Sequence, residues 1–88
     1  MKPLNYAILK YFTTVEKAST VEVMDTLSPM YGSFKAFTKN AILEALLTAE
    51  ANGLLESAGS KMSKEDELIL YFRAHEEGAK TINRYIID

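Results

Sequence analysis

The chain has 88 residues, a formal net charge of −2, 48% hydrophobic residues and no cysteine. One domain spanning residues 1–88 is expected, with enough apolar content for a core and a stability that a partner subunit would help. Disulfides and thiolate metal sites are excluded, and the charge lacks the basic excess of a non-specific nucleic-acid binder.

Taken in chain order, Leu4, Ile8, Tyr11, Phe12 and Val15 recur at helical spacing and predict a first helix over about 4–15. Residues 16–18 read as a short connection. Ser19-Thr20-Val21-Glu22 has the form of a capping box, in which Ser19 accepts from a backbone amide and Glu22 reaches back to the Ser19 amide. Val23, Met24 and Leu27 follow as one apolar face. This second helix is expected to stop near Ser28-Pro29, because proline disfavours helix at the residue before it. Residues 28–37, with Pro29 and Gly32, read as a turn. Its aromatics Tyr31, Phe34 and Phe37 either fill a gap between helices or form an exposed patch.

A third helix is expected over about 38–52, with Ile42, Leu46 and Ala49 as its stripe and Leu43 and Leu47 widening it. Gly53 stands where a left-handed C-terminal cap belongs. Two strands, about 54–57 and 68–74, must pair with each other and pack on the helices, since an isolated hairpin is barely stable. The polar segment 58–67 between them has nothing to bury and points outward. A last helix over about 76–87 places Ala79, Ile82, Tyr85 and Ile86 on one face.

The charges are unevenly spread. Residues 1–40 carry five lysines against three acids, a balance of +2, whereas residues 41–88 have a balance of −4. An anion-binding surface therefore draws on the first half, with help from Lys61 and Lys64. No chemistry-bearing motif of an enzyme is present: there is no Cys/His pair, no nucleophile serine motif and no glycine-rich phosphate loop. Glu65, Asp66 and Glu67 are adjacent in a loop, where two carboxyls cannot be given different environments. The single histidine, His75, reads as a helix cap or a surface residue, and a metal site would need more ligands around it. No cofactor is implied. The first twelve residues, MKPLNYAILKYF, contain no long apolar segment, and no run approaches the ~20 apolar residues of a membrane span. A cytoplasmic protein is expected.

Two stretches, Glu50-Ala51-Asn52-Gly53-Leu54-Leu55-Glu56 and Tyr71-Phe72-Arg73-Ala74-His75-Glu76-Glu77-Gly78, together with the order of elements, resemble the winged helix-turn-helix domains of bacterial transcription regulators, MarR/PadR-like in layout. The resemblance covers nearly the whole chain. It implies an α+β fold: a three-helix body, a two-stranded wing hairpin and a C-terminal helix. It further implies sequence-specific binding of double-stranded DNA by a small transcription regulator. The third helix would enter the major groove and segment 58–67, the wing, would lie on the backbone. The residues that would then face DNA are Thr38, Lys39, Asn40, Leu43 and Glu44. Lys39 and Asn40 would read base edges, Thr38 and Lys35 would hold phosphate, and Lys61 and Lys64 would neutralise the flanking backbone. The apolar stripe of the last helix, Ala79, Ile82, Tyr85 and Ile86, covers either the first helix of its own chain or a second subunit, and the same resemblance implies a homodimer joined through it.

The chain also departs from the pattern. The turn before the third helix is long, that helix has no arginine, Glu44 lies among the groove-facing residues, and Glu65, Asp66 and Glu67 oppose the lysines of the wing. The alternative reading is a winged helix used as a protein-interaction module without DNA binding, favoured by the acidic balance and by Leu43 and Leu47. Lys39 and Asn40 would then be solvated surface, and Lys61 and Lys64 solubilising charges.

Overall fold

A computed structural model describes residues 1–87. It is an α+β arrangement of four helices and a three-stranded antiparallel sheet: α1 (Leu4–Tyr11), β1 (Ala18–Ser19), α2 (Thr20–Tyr31), α3 (Lys39–Ala51), β2 (Glu56–Met62), β3 (Leu68–Arg73) and α4 (Glu76–Tyr85). The strand order is β1-β3-β2. The layout is compatible with a small winged-helix domain.

The core forms where the helical stripes meet the inner face of the sheet. Ile8 and Phe12 from the α1 region, Val23 from α2, and Ile42 and Leu46 from α3 close on Leu55 and on Phe72 of β3, all nearly inaccessible to water. Burial of such side chains, worth roughly 1.5–3 kcal/mol each, holds the helices on the hairpin.

α1 stops at Tyr11, four residues before the expected end. The backbone amides of Phe12, Thr13 and Thr14 turn back to the carbonyls three residues earlier. The Thr13 and Thr14 hydroxyls donate to the Lys10 and Tyr11 carbonyls, each at 2.7 Å. These local bonds occupy the acceptors a further helical turn would need.

β1 lies in the segment read as a connection and its start of a helix cap. Ala18 pairs with Phe72 and Ser19 with Tyr71, and both residues are buried. Two residues carry no periodicity, so only the tertiary pairing marks them as a strand. The capping box predicted at Ser19 and Glu22 is present: Glu22 Oε1 accepts from the Ser19 amide at 2.9 Å, and the Ser19 hydroxyl accepts from the Glu22 amide at 3.4 Å.

α2 runs through Pro29 to Tyr31 instead of stopping before the proline. Pro29 sits only two residues from the end, so its missing amide removes a single bond of the last turn. Tyr31 compensates: its ring is buried, and its hydroxyl donates to the Lys2 carbonyl at 2.5 Å. The aromatic alternatives left open by the sequence divide. Tyr31 fills the interior, Phe37 is half-buried against the core, and Phe34 stays exposed with its ring edge-on to Tyr31, centroids 5.1 Å apart.

α3 ends in the cap expected at Gly53, whose φ is +78°. The Gly53 amide reaches the Glu50 carbonyl and the Leu54 amide the Ala49 carbonyl, the paired bonds of a Schellman motif. The hairpin differs from expectation. β2 extends from Glu56 to Met62, so the connecting loop is only residues 63–67. Strand propensity is low in Ser57-Ala58-Gly59-Ser60-Lys61. A bulge between Ser57 and Ser60, with Gly59 at φ +100°, carries the pairing onward. The tip is tight. The Ser63 amide donates to the Glu67 carbonyl at 2.8 Å, the Ser63 hydroxyl accepts from the Glu65 and Glu67 amides, and Asp66 takes φ +60°.

α4 starts on His75, whose Nδ1 accepts from the Gly78 amide at 3.0 Å, while Nε2 lies 2.9 Å from the Gly53 carbonyl. The ring proton therefore belongs on Nε2, and the imidazole ties the start of α4 to the end of α3. Gly78 is buried against the Leu54 carbonyl, which a methyl at that position would strike. At the other end Ile86 turns extended, two residues earlier than expected, and Lys10 Nζ donates to its carbonyl at 2.9 Å and to Asn83 Oδ1 at 2.7 Å. Lysine at a helix C-terminus meets both the free carbonyls and the negative end of the dipole. Among the described residues no helix is long and apolar enough to cross a membrane.

Candidate functional site

The start of α3 and the tip of the β2–β3 hairpin share one exposed face. Thr38 is the N-cap of α3: its hydroxyl accepts from the Ala41 amide at 3.1 Å, which ties up the oxygen but leaves the hydroxyl proton outward. Lys39 follows at the first helical position, with its Nζ 3.5 Å from Glu67 Oε2 at the hairpin tip. Both side chains stay more than half exposed, so the pair is worth at most about 1 kcal/mol. It links helix and hairpin without shielding either from a partner. Asn40, Lys35 and Lys64 are exposed. Among the described residues none of them makes a side-chain hydrogen bond or ion pair.

Lys61 belongs elsewhere. It was expected in the loop beside Lys64, but it lies on β2 opposite Ile69. Cross-strand partners share a face, and the Ile69 and Tyr71 face is the one turned away from buried Phe72. There the Lys61 ammonium sits 5.7 Å from the Tyr71 ring centroid, and Lys17 sits 5.1 Å from the same centroid. Interaction with Tyr71 raises the Lys61 pKa above the usual 10.5. Lys61 is therefore a neighbour of Lys17 on the outer sheet face and not of Lys39. Lys17 was not singled out in the sequence, because only the β1–β3 register brings it to Tyr71.

At the start of α3 and the hairpin tip, Lys39 and Lys64 are met by Glu65, Asp66 and Glu67, all exposed, while Glu44 lies on the α1 side of α3 beside Asn5 and Ile8. The balance is slightly acidic. Leu47 is 43% exposed on α3, and Leu43 is half-buried at the edge of a cleft of about 250 Å³ between α3, the start of α2 and the hairpin.

The residues assigned to a dimer contact also divide. Ile82 and Ile86 are buried within the chain, where α4 packs on α1, so they are not available to a second subunit. Ala79 is half-buried, and Tyr85 is 75% exposed. The exposed apolar surface on this side is Tyr6, Tyr85 and Ile87, beside a shallow groove of about 160 Å³ over Leu9 and Leu54. Among the described residues no group of three or more histidine or carboxylate side chains is placed to hold a metal ion. No family model and no curated protein matches the sequence, so geometry and charge carry the functional assignment.

Proposed function

We propose that the chain is a winged-helix domain that binds double-stranded DNA as a small transcription regulator, with α3 as the recognition helix and the β2–β3 hairpin as the wing. The observation that carries this reading is the common exposure of Thr38, Lys39 and Asn40 at the start of α3 beside the hairpin tip, joined by the Lys39–Glu67 contact. A helix that enters a groove by its N-terminal residues needs that end uncovered. Lys39 and Asn40 meet base edges, the Thr38 hydroxyl and Lys35 meet phosphate, and Lys64 meets the flanking backbone. Lys61 takes no part in this face.

The charge balance makes each domain a weak binder. Two phosphate-contacting lysines, Lys35 and Lys64, give a salt slope of about −2 per domain, so a homodimer supports binding by doubling the contacts. The dimer would meet across Tyr6 and Tyr85, with Ala79 at the margin. Fluorescence anisotropy with a labelled duplex tests the reading. Binding is expected at about 50 mM salt and is expected to vanish by about 200 mM. Lys39→Glu abolishes it while the circular dichroism spectrum is unchanged. Absence of binding to any duplex at low salt, or indifference to Lys39→Glu, rejects it.

The second reading, a protein-interaction module, is favoured by the acidic excess of the same face and by the exposure of Leu47. Under it, Leu47→Ser removes partner binding and Lys39→Glu does not.

A further inference from the structure

The cleft between α3 and the hairpin has features that a duplex does not use. Its floor is aliphatic: Val21, Leu43, Leu68 and Leu70. Val21 is 45% and Leu68 62% exposed, which leaves apolar surface in water beside a folded core. Its rim carries Glu65 and Glu67 against the single cation Lys39, already engaged with Glu67. The third feature comes from the sheet. β1 pairs only with Tyr71 and Phe72, because the chain turns into α2 after Ser19. On that side β3 has no neighbouring strand from Leu68 to Leu70, and these are the residues that line the cleft.

We propose that this cleft docks a short extended peptide segment in which apolar and basic residues alternate. Such a segment continues the line of β1 along Leu68–Leu70, sends its apolar side chains between Leu43 and Leu68, and directs its basic side chains to Glu65 and Glu67. Main-chain pairing at a free strand edge supplies affinity, and alternate side chains supply selection. The other free edge, β2, is a poor competitor: it is broken by the Gly59 bulge and carries Lys61, both devices that discourage strand addition. The proposal does not rest on DNA binding, and it goes beyond it.

Backbone amide NMR titrations of the isotope-labelled protein test it with three capped hexapeptides: alternating Lys and Val, alternating Glu and Val, and alternating Lys and Ser. The Lys–Val peptide is expected to move the amides of Leu43 and of Leu68–Leu70, and the other two to leave them still. Leu68→Ser, at an exposed position, lowers affinity about tenfold, and Glu65→Lys lowers it by a similar factor. Thermal melts of both variants should match the parent. The proposal is overturned if the Lys–Val peptide moves nothing, if either control peptide acts equally, if the shifts map to β2, or if both variants bind as the parent does. A duplex titrated separately is expected to move Thr38–Asn40 and Lys64. If it alone moves Leu68–Leu70, the cleft belongs to nucleic acid and the peptide proposal fails, whereas failure of the duplex alone removes only the regulator reading.

Discussion

The last helix and the third helix use their side chains in opposite ways. α4 is secured at both ends: His75 caps its start and reaches the Gly53 carbonyl, Lys10 closes its end, and Ile82 and Ile86 are buried against the body. The start of α3 is held by one hydroxyl cap and one exposed ion pair and leaves Lys39 and Asn40 in water, as the helix leaves Leu47 two turns further on. In the first helix hydrogen-bonding capacity is consumed inside the chain. In the second it is left over, and leftover capacity on a rigid element is what a partner can use.

The largest test of that contrast strikes the body on which both helices rest. Phe72 is fully buried and contacts the cluster that joins α1, α2 and α3. Phe72→Ala should cost about 3–5 kcal/mol, enough to unfold much of a marginally stable domain. Leu47→Ser, on the exposed side of α3, should change stability by less than about 0.5 kcal/mol. Urea denaturation followed by circular dichroism compares the two. Similar losses would mean that Leu47 is a body residue and that the face of α3 is not free.

Next in size is the close approach that seats α4. Gly78→Ala places a methyl against the Leu54 carbonyl, so either α4 or the segment after Gly53 must shift. A cost of about 1–3 kcal/mol is expected, although alanine is the better helix former by about 1 kcal/mol. The sign of the change discriminates: stabilisation would mean that α4 lies farther from the body than Leu54 indicates.

These residues also mark what was legible in the sequence. The caps were, because their chemistry is local: Ser19 with Glu22, and Gly53 after the apolar stripe, each announce a backbone geometry by residue type alone. The core stripes Ile42, Leu46 and Ala49 were legible from spacing. The place of Gly78 was not, since an isolated glycine in a helix gives no hint of the carbonyl above it. β1 was invisible because two buried residues make no pattern. β2 was read too short because its outer half is exposed on both faces and is held by pairing and a bulge, not by burial. Within the candidate site, Thr38, Lys39 and Asn40 fell where helical phase puts them. Lys61 was misplaced because a strand read as a loop hides which face a side chain takes. In the last helix, phase identified an apolar stripe but not its destination: Ile82 and Ile86 cover α1 of the same chain.

The third test returns to the fastening of α4. His75→Ala should cost about 1 kcal/mol through loss of the cap, and His75→Asp, which supplies another accepting oxygen, should recover most of it. Recovery separates the cap from the Gly53 contact, which Asp is too short to replace. If neither variant loses stability, α4 is held by Ile82 and Ile86 alone.

The smallest expected effect lies at the hairpin tip. Asp66 adopts φ +60°, a conformation that costs an L-residue roughly 1–2 kcal/mol and that glycine takes freely. Aspartate tolerates it better than most side chains, so Asp66→Gly should stabilise the hairpin by a few tenths of a kcal/mol, about the limit of a urea midpoint comparison. The substitution also removes one negative charge from the face shared with Lys39 and Lys64. Under the DNA reading it therefore tightens duplex binding slightly. Under the peptide reading it leaves Glu65 and Glu67 in place and changes little. A variant that gains stability and duplex affinity together would show that the acidic residue at this turn serves neither the fold nor the binding of nucleic acid. That outcome is the one the DNA reading expects, whereas a gain in stability with duplex affinity unchanged would count against a nucleic-acid role for the hairpin tip.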